Sequence, residues 1–128
     1  MPDPTGMPFA DLMAVDVTER DKARVSGRLL VREDLCTTGG ILHGGAFMAF
    51  ADALGAIGGA LNRPADARTT TIESKTNFLG SAKVESWVHG EATPLHVGRR
   101  TSVWQTRITS PEGKLLALVL QTQMTIRD

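Results

Sequence analysis

The most distinctive pattern along the chain is a run of small and apolar residues, AFMAFADALGAIGGAL, from Ala46 to Leu61. Its apolar positions lie on every side of a helical projection, which predicts a helix that must be covered on all sides. The pattern begins near Gly45 and ends at Asn62, because Pro64 cannot continue a helix and biases Arg63 away from helical angles. We therefore expect one long buried helix in this part of the chain.

Most of the remaining chain alternates apolar and polar residues, which is typical of strands. The order of two strands, one apolar helix and four strands predicts an α+β fold, with a single antiparallel sheet wrapped around the helix and a second subunit covering its remaining face. We expect one domain over residues 1–128, with 1–12 as an N-terminal extension. The expected elements are a helical turn near 9–13, strands at 14–18, 23–29, 69–79, 84–93, 100–109 and 115–126, and turns at 80–81, 94–98 and 110–113.

Composition narrows the classes of partner. The 14 basic and 14 acidic residues balance, so neither nucleic acid nor a membrane surface is an expected partner. The single cysteine, Cys36, excludes an internal disulfide and favours a reducing compartment, from which we expect a cytoplasmic protein. The apolar run is short and carries a charge near its centre, and no charged-then-apolar leader precedes it, so we expect no membrane association.

Asp52 is the only ionisable residue within the apolar run. A buried carboxylate is costly unless it has a partner or a chemical task. Its neighbours three and four residues away are small apart from Met48, and they include Ala56. This pattern fits two interpretations, close packing of the helix against another element or space for a substrate. We favour a functional carboxylate, because close packing alone does not require Asp at a position where it has poor helix propensity.

The helix is preceded by the glycine-rich sequence Gly39-Gly40-Ile41-Leu42-His43-Gly44-Gly45. Glycine at a helix start leaves the first amide N–H groups accessible, and these groups stabilise negative charge. A phosphate-binding P-loop is rejected, because Gly45-Ala46 occupies the positions where that motif needs Lys and Ser or Thr. Together with Asp52, the glycines predict an oxyanion hole beside a catalytic acid.

The other reactive side chains have simpler interpretations. His43 is expected to brace the glycine turn, and no residue at ligand spacing supports a metal site. Cys36 has no basic partner nearby in sequence and is expected to be inert. Arg99 and Arg100 either bind phosphates or are solvated surface charges.

The sequence Gly40-Ile41-Leu42-His43-Gly44-Gly45, followed by Asp52 and Gly55, resembles the signature of hotdog-fold acyl-CoA thioesterases. The similar branch is the phenylacetate-pathway (PaaI-like) group, related to 4-hydroxybenzoyl-CoA thioesterases. The resemblance covers roughly residues 23–126 and implies a hotdog fold of five or six strands around one helix. It also implies homodimers, often paired into homotetramers, with each active site between two subunits.

The resemblance further implies roles for individual residues. The Gly44 backbone N–H would polarise the thioester carbonyl, and Asp52 of the other subunit would act as nucleophile or as general base. His43 would brace the turn and Gly45 would open the helix. The remaining substrate-contacting positions would be Met48, Ala56, Thr71, Arg99 and Arg100, with the arginines near the phosphates of CoA. No metal or cofactor is expected, since CoA enters only as part of the substrate.

One position departs from the family pattern. Six residues before His43, where the family has Asn or Gln, this chain has Thr37, whose hydroxyl reaches less far than an amide. Three functions therefore stay open, a thioesterase for an aryl- or medium-chain acyl-CoA, a non-catalytic acyl-CoA binding protein, and a hotdog dehydratase of 3-hydroxyacyl thioesters. Of these we favour the thioesterase.

Overall fold

The computed structural model describes residues 2–127, which contain two helices and eight strands. Helix α1 spans Pro8–Leu12, α2 spans Gly44–Asn62, and a 3₁₀ turn covers Glu33–Leu35. The strands are β1 (Asp16–Asp21), β2 (Arg24–Leu30), β3 (Cys36–Thr37), β4 (Ile41–Leu42), β5 (Arg68–Phe78), β6 (Trp87–Val97), β7 (Thr101–Thr109) and β8 (Leu115–Ile126).

Six strands form one antiparallel sheet in the order β1-β2-β6-β7-β8-β5, and β3 pairs with β4 in a separate short hairpin. Helix α2 packs against all six strands of the sheet. The predicted α+β architecture, an antiparallel sheet around one long helix, is confirmed. The order leaves β1 and β5 as the two edge strands.

The core lies between α2 and the sheet, where Phe50 and Leu54 are fully buried. These two side chains lie over Gly27 and Gly90, which pair with each other across β2 and β6. A Cβ atom at Gly90 would lie 2.7 Å from a methyl carbon of Leu54, so glycine is needed at this contact. The sheet therefore carries a depression into which the large side chains of α2 fit.

By length and composition α2 could cross a membrane, but more than half of its most apolar stretch is buried inside the protein. Its apolar character follows from its position, because a helix enclosed by a curved sheet contacts protein on most sides.

Two predicted boundaries around β6 are wrong. Strand β6 continues to Val97, so only the last residue of the turn predicted over residues 94–98 lies outside the strand. Pro94 pairs with Trp104, and a register shift between Pro94 and His96 marks a β-bulge, which lets a strand accommodate proline. At the other end, Glu85 has a φ of 70° and forms a turn, so the strand begins at Trp87 rather than at residue 84.

The segment before α1 is tied to the helix by Asp11. The Asp11 carboxylate accepts hydrogen bonds from the Thr5 backbone N at 2.7 Å and from the Thr5 hydroxyl at 2.8 Å. These bonds lower the pKa of Asp11, with the backbone bond contributing most. Ala14, with a φ of 62°, follows α1, and β1 begins at Asp16 rather than at residue 14 as predicted.

Candidate active site

The start of α2 presents one free amide. His43 is the N-cap of the helix, and its Nδ1 accepts a hydrogen bond from the Gly45 N–H at 2.8 Å. The His43 carbonyl accepts from the Ala46 N–H at 2.9 Å. Within residues 2–127 the Gly44 N–H has no acceptor, so it is available to an oxygen from outside the chain. Because Nδ1 accepts, the ring proton of His43 is placed on Nε2.

Gly44 is covered by the ring of Phe78, at the end of β5. A Cβ atom at Gly44 would lie 3.3 Å from two carbons of that ring, so the close approach favours glycine. The Phe78 ring in turn meets Phe47 edge to face, with ring centroids 6.1 Å apart. The sequence analysis did not assign Phe78 to the site, although it lies at the end of a long β-branched strand that returns past the helix.

Asp52 is half-buried and is held through one oxygen. Its Oδ1 accepts from the Thr71 hydroxyl at 2.6 Å and from Gln121 Nε2 at 3.0 Å. Gln123 Nε2 donates to the Thr71 hydroxyl oxygen at 2.6 Å. Within residues 2–127, Asp52 Oδ2 makes no hydrogen bond. The carboxylate is thus anchored to β5 and β8 while one oxygen stays free.

Gln121 and Gln123 were missed by the sequence analysis, which treated β8 as an ordinary alternating strand. They follow Ala117 and Val119 at the positions that face the helix, but the other face of β8 is apolar as well, so the sequence does not mark which face is buried. Thr71, in contrast, was among the expected site residues, and its hydroxyl lies at Asp52.

Asp52 and Gly44 cannot act on one thioester within a single chain. They are eight residues apart on α2, and a rise of about 1.5 Å per residue separates their backbones by roughly 12 Å. Met48 and Ala56, both half-buried, flank Asp52 along the partly exposed side of the helix, and Gly45 is exposed at its start. An oxygen held at Gly44 therefore lies out of reach of the same chain's Asp52.

Thr37 lies in β3, in the exposed hairpin that leads to α2. Its backbone pairs with Ile41, and its side chain makes no hydrogen bond inside the described part of the chain. The hairpin is joined to the helix start by the His43 N–H, which donates to the Leu35 carbonyl at 2.9 Å. Thr37 is thus near the glycine turn in sequence and topology but does not contact Asp52 of its own chain.

Arg99 and Arg100 lie far from the helix start. Both are exposed in the turn between β6 and β7, and the Arg100 carbonyl accepts from the Thr125 N–H near the end of β8. This end of the sheet also contains Arg68, the first residue of β5. Gly44 lies against Phe78, the last residue of β5, at the opposite end of the strand. The two ends are separated by about 33 Å of strand. One chain therefore does not bring these arginines to its own Gly44.

A pocket of about 480 Å³ opens beside the helix start. Its walls come from α1, the 3₁₀ turn, β3 and the first turn of α2, and are mostly apolar. A volume of this size suits a small organic group. The pocket is lined by Phe9, Leu12, Met13, Arg32, Asp34, Leu35, Cys36, His43, Gly45 and Ala46.

More than half of the chain matches a known protein family. Residues 39–117, more than half of the chain, match the family model described as the Thioesterase superfamily. The match includes the glycine turn, Asp52 and the strand that carries Thr71. The resemblance drawn from the sequence is thereby confirmed.

Two relatives are CoA hydrolases by name. A 1,4-dihydroxy-2-naphthoyl-CoA hydrolase of Escherichia coli is 37% identical over 76 residues, which cover 59% of this chain and 55% of that protein. A 1,4-dihydroxy-2-naphthoyl-CoA hydrolase of Listeria monocytogenes is 29% identical over 112 residues, 88% of this chain and 90% of that protein. The chain spans about half the length of the E. coli relative and of a further relative from Vibrio cholerae, of which 52% is covered.

Solved structures share the fold. A thioesterase of Haemophilus influenzae superimposes with a TM-score of 0.87 at 24% identity, covering 93% of this chain and 82% of that one. The PaaI protein of the E. coli phenylacetic acid degradation operon gives a TM-score of 0.85 at 18% identity, covering 94% and 85%. At these identities the likeness establishes the fold.

Proposed function

The chain belongs to the Thioesterase superfamily, and from this membership we propose that it hydrolyses an aryl- or medium-chain acyl-CoA to the free acid and CoA. The observation that carries the proposal is Asp52, a half-buried carboxylate on an otherwise apolar helix, held at Oδ1 and free at Oδ2. A thioester has a good leaving group, so one carboxylate and one preorganised amide supply the main electrostatic effects without a metal or cofactor.

The free Gly44 N–H would polarise the thioester carbonyl and hold the negative charge that develops on its oxygen. As a general base, Asp52 Oδ2 takes one proton from water as the water oxygen bonds to the carbonyl carbon. Collapse of the tetrahedral oxyanion breaks the C–S bond, and the proton passes from Asp52 to the CoA thiolate. As a nucleophile, Oδ2 instead bonds to the carbonyl carbon and expels the thiolate, leaving an anhydride that water hydrolyses. His43 would keep the turn in shape through Gly45.

The proposed active site needs two copies of the chain, because Gly44 and Asp52 of one copy are roughly 12 Å apart. A homodimer, which the family resemblance implies, would place Asp52 of one subunit opposite Gly44 of its partner. Arg99 and Arg100, far from Gly44 in their own chain, would then be available to the phosphates of CoA bound at the partner's site. Pairing of two dimers into a homotetramer is part of the same proposal.

The acyl group would enter the pocket beside His43 and Gly45. The walls of this pocket are mostly apolar, and about 480 Å³ accommodates an aromatic ring or a medium-length chain. Thr37, on the hairpin next to the pocket, would then position the carbonyl or the attacking water through its hydroxyl in place of the family's amide.

The test is release of free thiol from aryl-, phenylacetyl- and straight-chain acyl-CoAs by the wild type and by Asp52→Asn and Asp52→Ala. We expect both variants to lose turnover by at least about a thousand-fold, because no other described side chain can replace the carboxylate. Asp52→Asn should retain binding of the thioester, measured by calorimetry with a non-hydrolysable CoA thioether.

A matched control is Glu112→Gln, which makes the same charge change in an exposed turn between β7 and β8 and should keep full activity. Turnover retained in the Asp52 variants would refute the assignment. Saturable binding without hydrolysis by the wild type would point to an acyl-CoA binding protein. A 2-enoyl product formed from a 3-hydroxyacyl-CoA would point to a dehydratase.

A further inference from the structure

Two glutamines of β8 are buried where apolar side chains are the rule. Gln121 and Gln123 are 0% and 1% exposed and face α2 in the same row as Ala117 and Val119. Burying an amide side chain is unfavourable unless its polar atoms are hydrogen-bonded. Within residues 2–127 the Oε1 atoms of both amides have no hydrogen-bond partner, whereas the Nε2 groups have a partner on the helix side.

That partner is the Asp52 carboxylate, reached directly by one glutamine and through Thr71 by the other. Gln121 Nε2 and the Thr71 hydroxyl both donate to Asp52 Oδ1, and Gln123 Nε2 donates to Thr71. The directions follow from chemistry, because an ionised carboxylate only accepts. Thr71 has a single hydroxyl proton, which it gives to Asp52, so its oxygen must accept from the Gln123 amide.

Helix α2 has glycine where the glutamines approach it. A Cβ atom at Gly55 would overlap the Gln121 amide, and one at Gly59 would lie 3.0 Å from Gln123 Cγ. Glycine inside a helix costs about 1 kcal/mol relative to alanine. Its use at Gly55, where a Cβ atom has no room, shows that the helix is shaped to admit the Gln121 amide next to Asp52.

We propose that Gln121 and Thr71, with Gln123 behind Thr71, are positioning residues that hold Asp52 Oδ1 and leave Oδ2 aimed at the substrate. The inference rests on the proposed function and adds residues to its mechanism. The Thr71 hydroxyl donates to Asp52 and accepts from Gln123, so both of these hydrogen bonds are made within the protein. Its role is then to orient Asp52, whereas the sequence had predicted that it binds substrate.

Other ionisable groups do not compete at this position. Helix α2 carries no second ionisable residue, and β8 carries none between residues 115 and 126. On β5 the neighbours are Arg68, Glu73 and Lys75, all exposed. Glu73 accepts from Thr122 and Lys75 donates to Asn77, so both are engaged away from Asp52. The effect of changing Gln121 would therefore report on its hydrogen bond to the carboxylate.

The test compares kcat and KM for Gln121→Leu with those of the wild type. Loss of a donor to a charged group should lower kcat about ten- to a hundred-fold, with KM within about two-fold. The matched control is Gln105→Leu on β7, whose side chain alternates with those of buried Trp104 and Thr106 and points away from the helix.

A second pair of variants covers the case in which Gln121→Leu does not fold. Thr71→Val removes the hydroxyl at nearly constant shape and should reproduce the loss of kcat. Thr71→Ser restores a hydroxyl and should return kcat toward the wild type. Unchanged kcat in Gln121→Leu, or failure of serine to rescue, would overturn the proposal.

Failure of the proposed function is distinguishable from failure of this inference. The ¹³Cγ chemical shift of Asp52, which responds to the hydrogen bonds of the carboxylate, can be measured without any substrate. It should change in Gln121→Leu and Thr71→Val relative to the wild type and remain unchanged in Gln105→Leu. A wild type without thioesterase activity would remove the function, whereas equal chemical shifts in all variants would remove the positioning role.

Discussion

At the scale of single residues, the close approach of α2 to the sheet depends on which side chain meets each glycine. A Cβ atom at Gly58 would lie 2.5 Å from the ring of Trp104, which is fully buried. A Cβ atom at the adjacent Gly59 would meet Gln123 Cγ at 3.0 Å, where a flexible chain can shift by a few tenths of an ångström. The two positions therefore form a matched pair.

We expect Gly58→Ala to destabilise the protein by about 1–3 kcal/mol net of its gain in helix propensity, because the rigid indole cannot move aside. Gly59→Ala carries the same gain in propensity and should change the free energy of unfolding by less than about 1 kcal/mol. Urea denaturation of both variants measures the difference. Equal destabilisation would show that the indole is not the obstacle.

Asp52 stands out in the sequence as a candidate residue, whereas its hydrogen-bond donor Gln121 does not. A single carboxylate in sixteen small and apolar residues is visible without a structure. Gln121 is not, because β8 has apolar residues on both faces, with Leu118 and Leu120 alternating with Ala117 and Val119. Alternation then does not reveal which face is buried, so a buried glutamine resembles an exposed one.

At the scale of elements, α1 matters because it forms a wall of the candidate acyl pocket. Phe9 and Leu12 are 63% and 70% exposed, yet both line the pocket beside His43. Leu12→Ala should raise KM for an aryl-CoA several-fold while changing kcat little, since the lost contact binds substrate and transition state alike. Steady-state kinetics across the acyl-CoA panel measures this effect.

The control for Leu12→Ala is Leu95→Ala, the same truncation at an exposed position (57%) in β6, toward the end of the sheet away from the helix start. It should leave KM unchanged. An equal rise of KM in both variants, or none in Leu12→Ala, would contradict the location of the acyl group.

The long elements were predictable from sequence because each follows from a local pattern. The start of helix α2 was predicted to within one residue, and both ends of β8 were predicted correctly. The short β3–β4 hairpin and the extension of β6 through Pro94 were not predicted. The hairpin strands have two residues each, too few to show alternation, and β6 continues past Pro94 through a bulge opposite β7. Proline and glycine favour a turn when read locally.

At the scale of the whole molecule, the edge strand β5 leaves apolar surface uncovered. Ile72 is 53% exposed, and Phe78 and Leu79 are exposed at the end of the strand. An edge strand presents unpaired backbone groups to another chain, and exposed apolar residues favour association. This edge adjoins the half-buried side of α2 that carries Asp52, so a second copy bound here would complete the proposed site.

Ile72→Asp should convert the proposed dimer to a monomer and abolish thioester hydrolysis, although the Ile72 side chain carries no reactive group. Light scattering during size-exclusion chromatography measures the mass, and thiol release measures the activity. Leu95→Asp introduces the same charge at a similarly exposed position and should keep both. A monomeric Ile72→Asp that remained fully active would exclude an active site shared between subunits.

The three glycines inside α2 also bear on the order in which the chain folds. Gly55, Gly58 and Gly59 together weaken the isolated helix by about 3 kcal/mol relative to alanine, so a free segment 44–62 would be largely unstructured. Strands β6, β7 and β8 are joined by short connections and pair with their neighbours in sequence, which favours early formation. The helix is then the late element of folding, acquiring its shape on a sheet whose side chains already occupy the space that its glycines leave open.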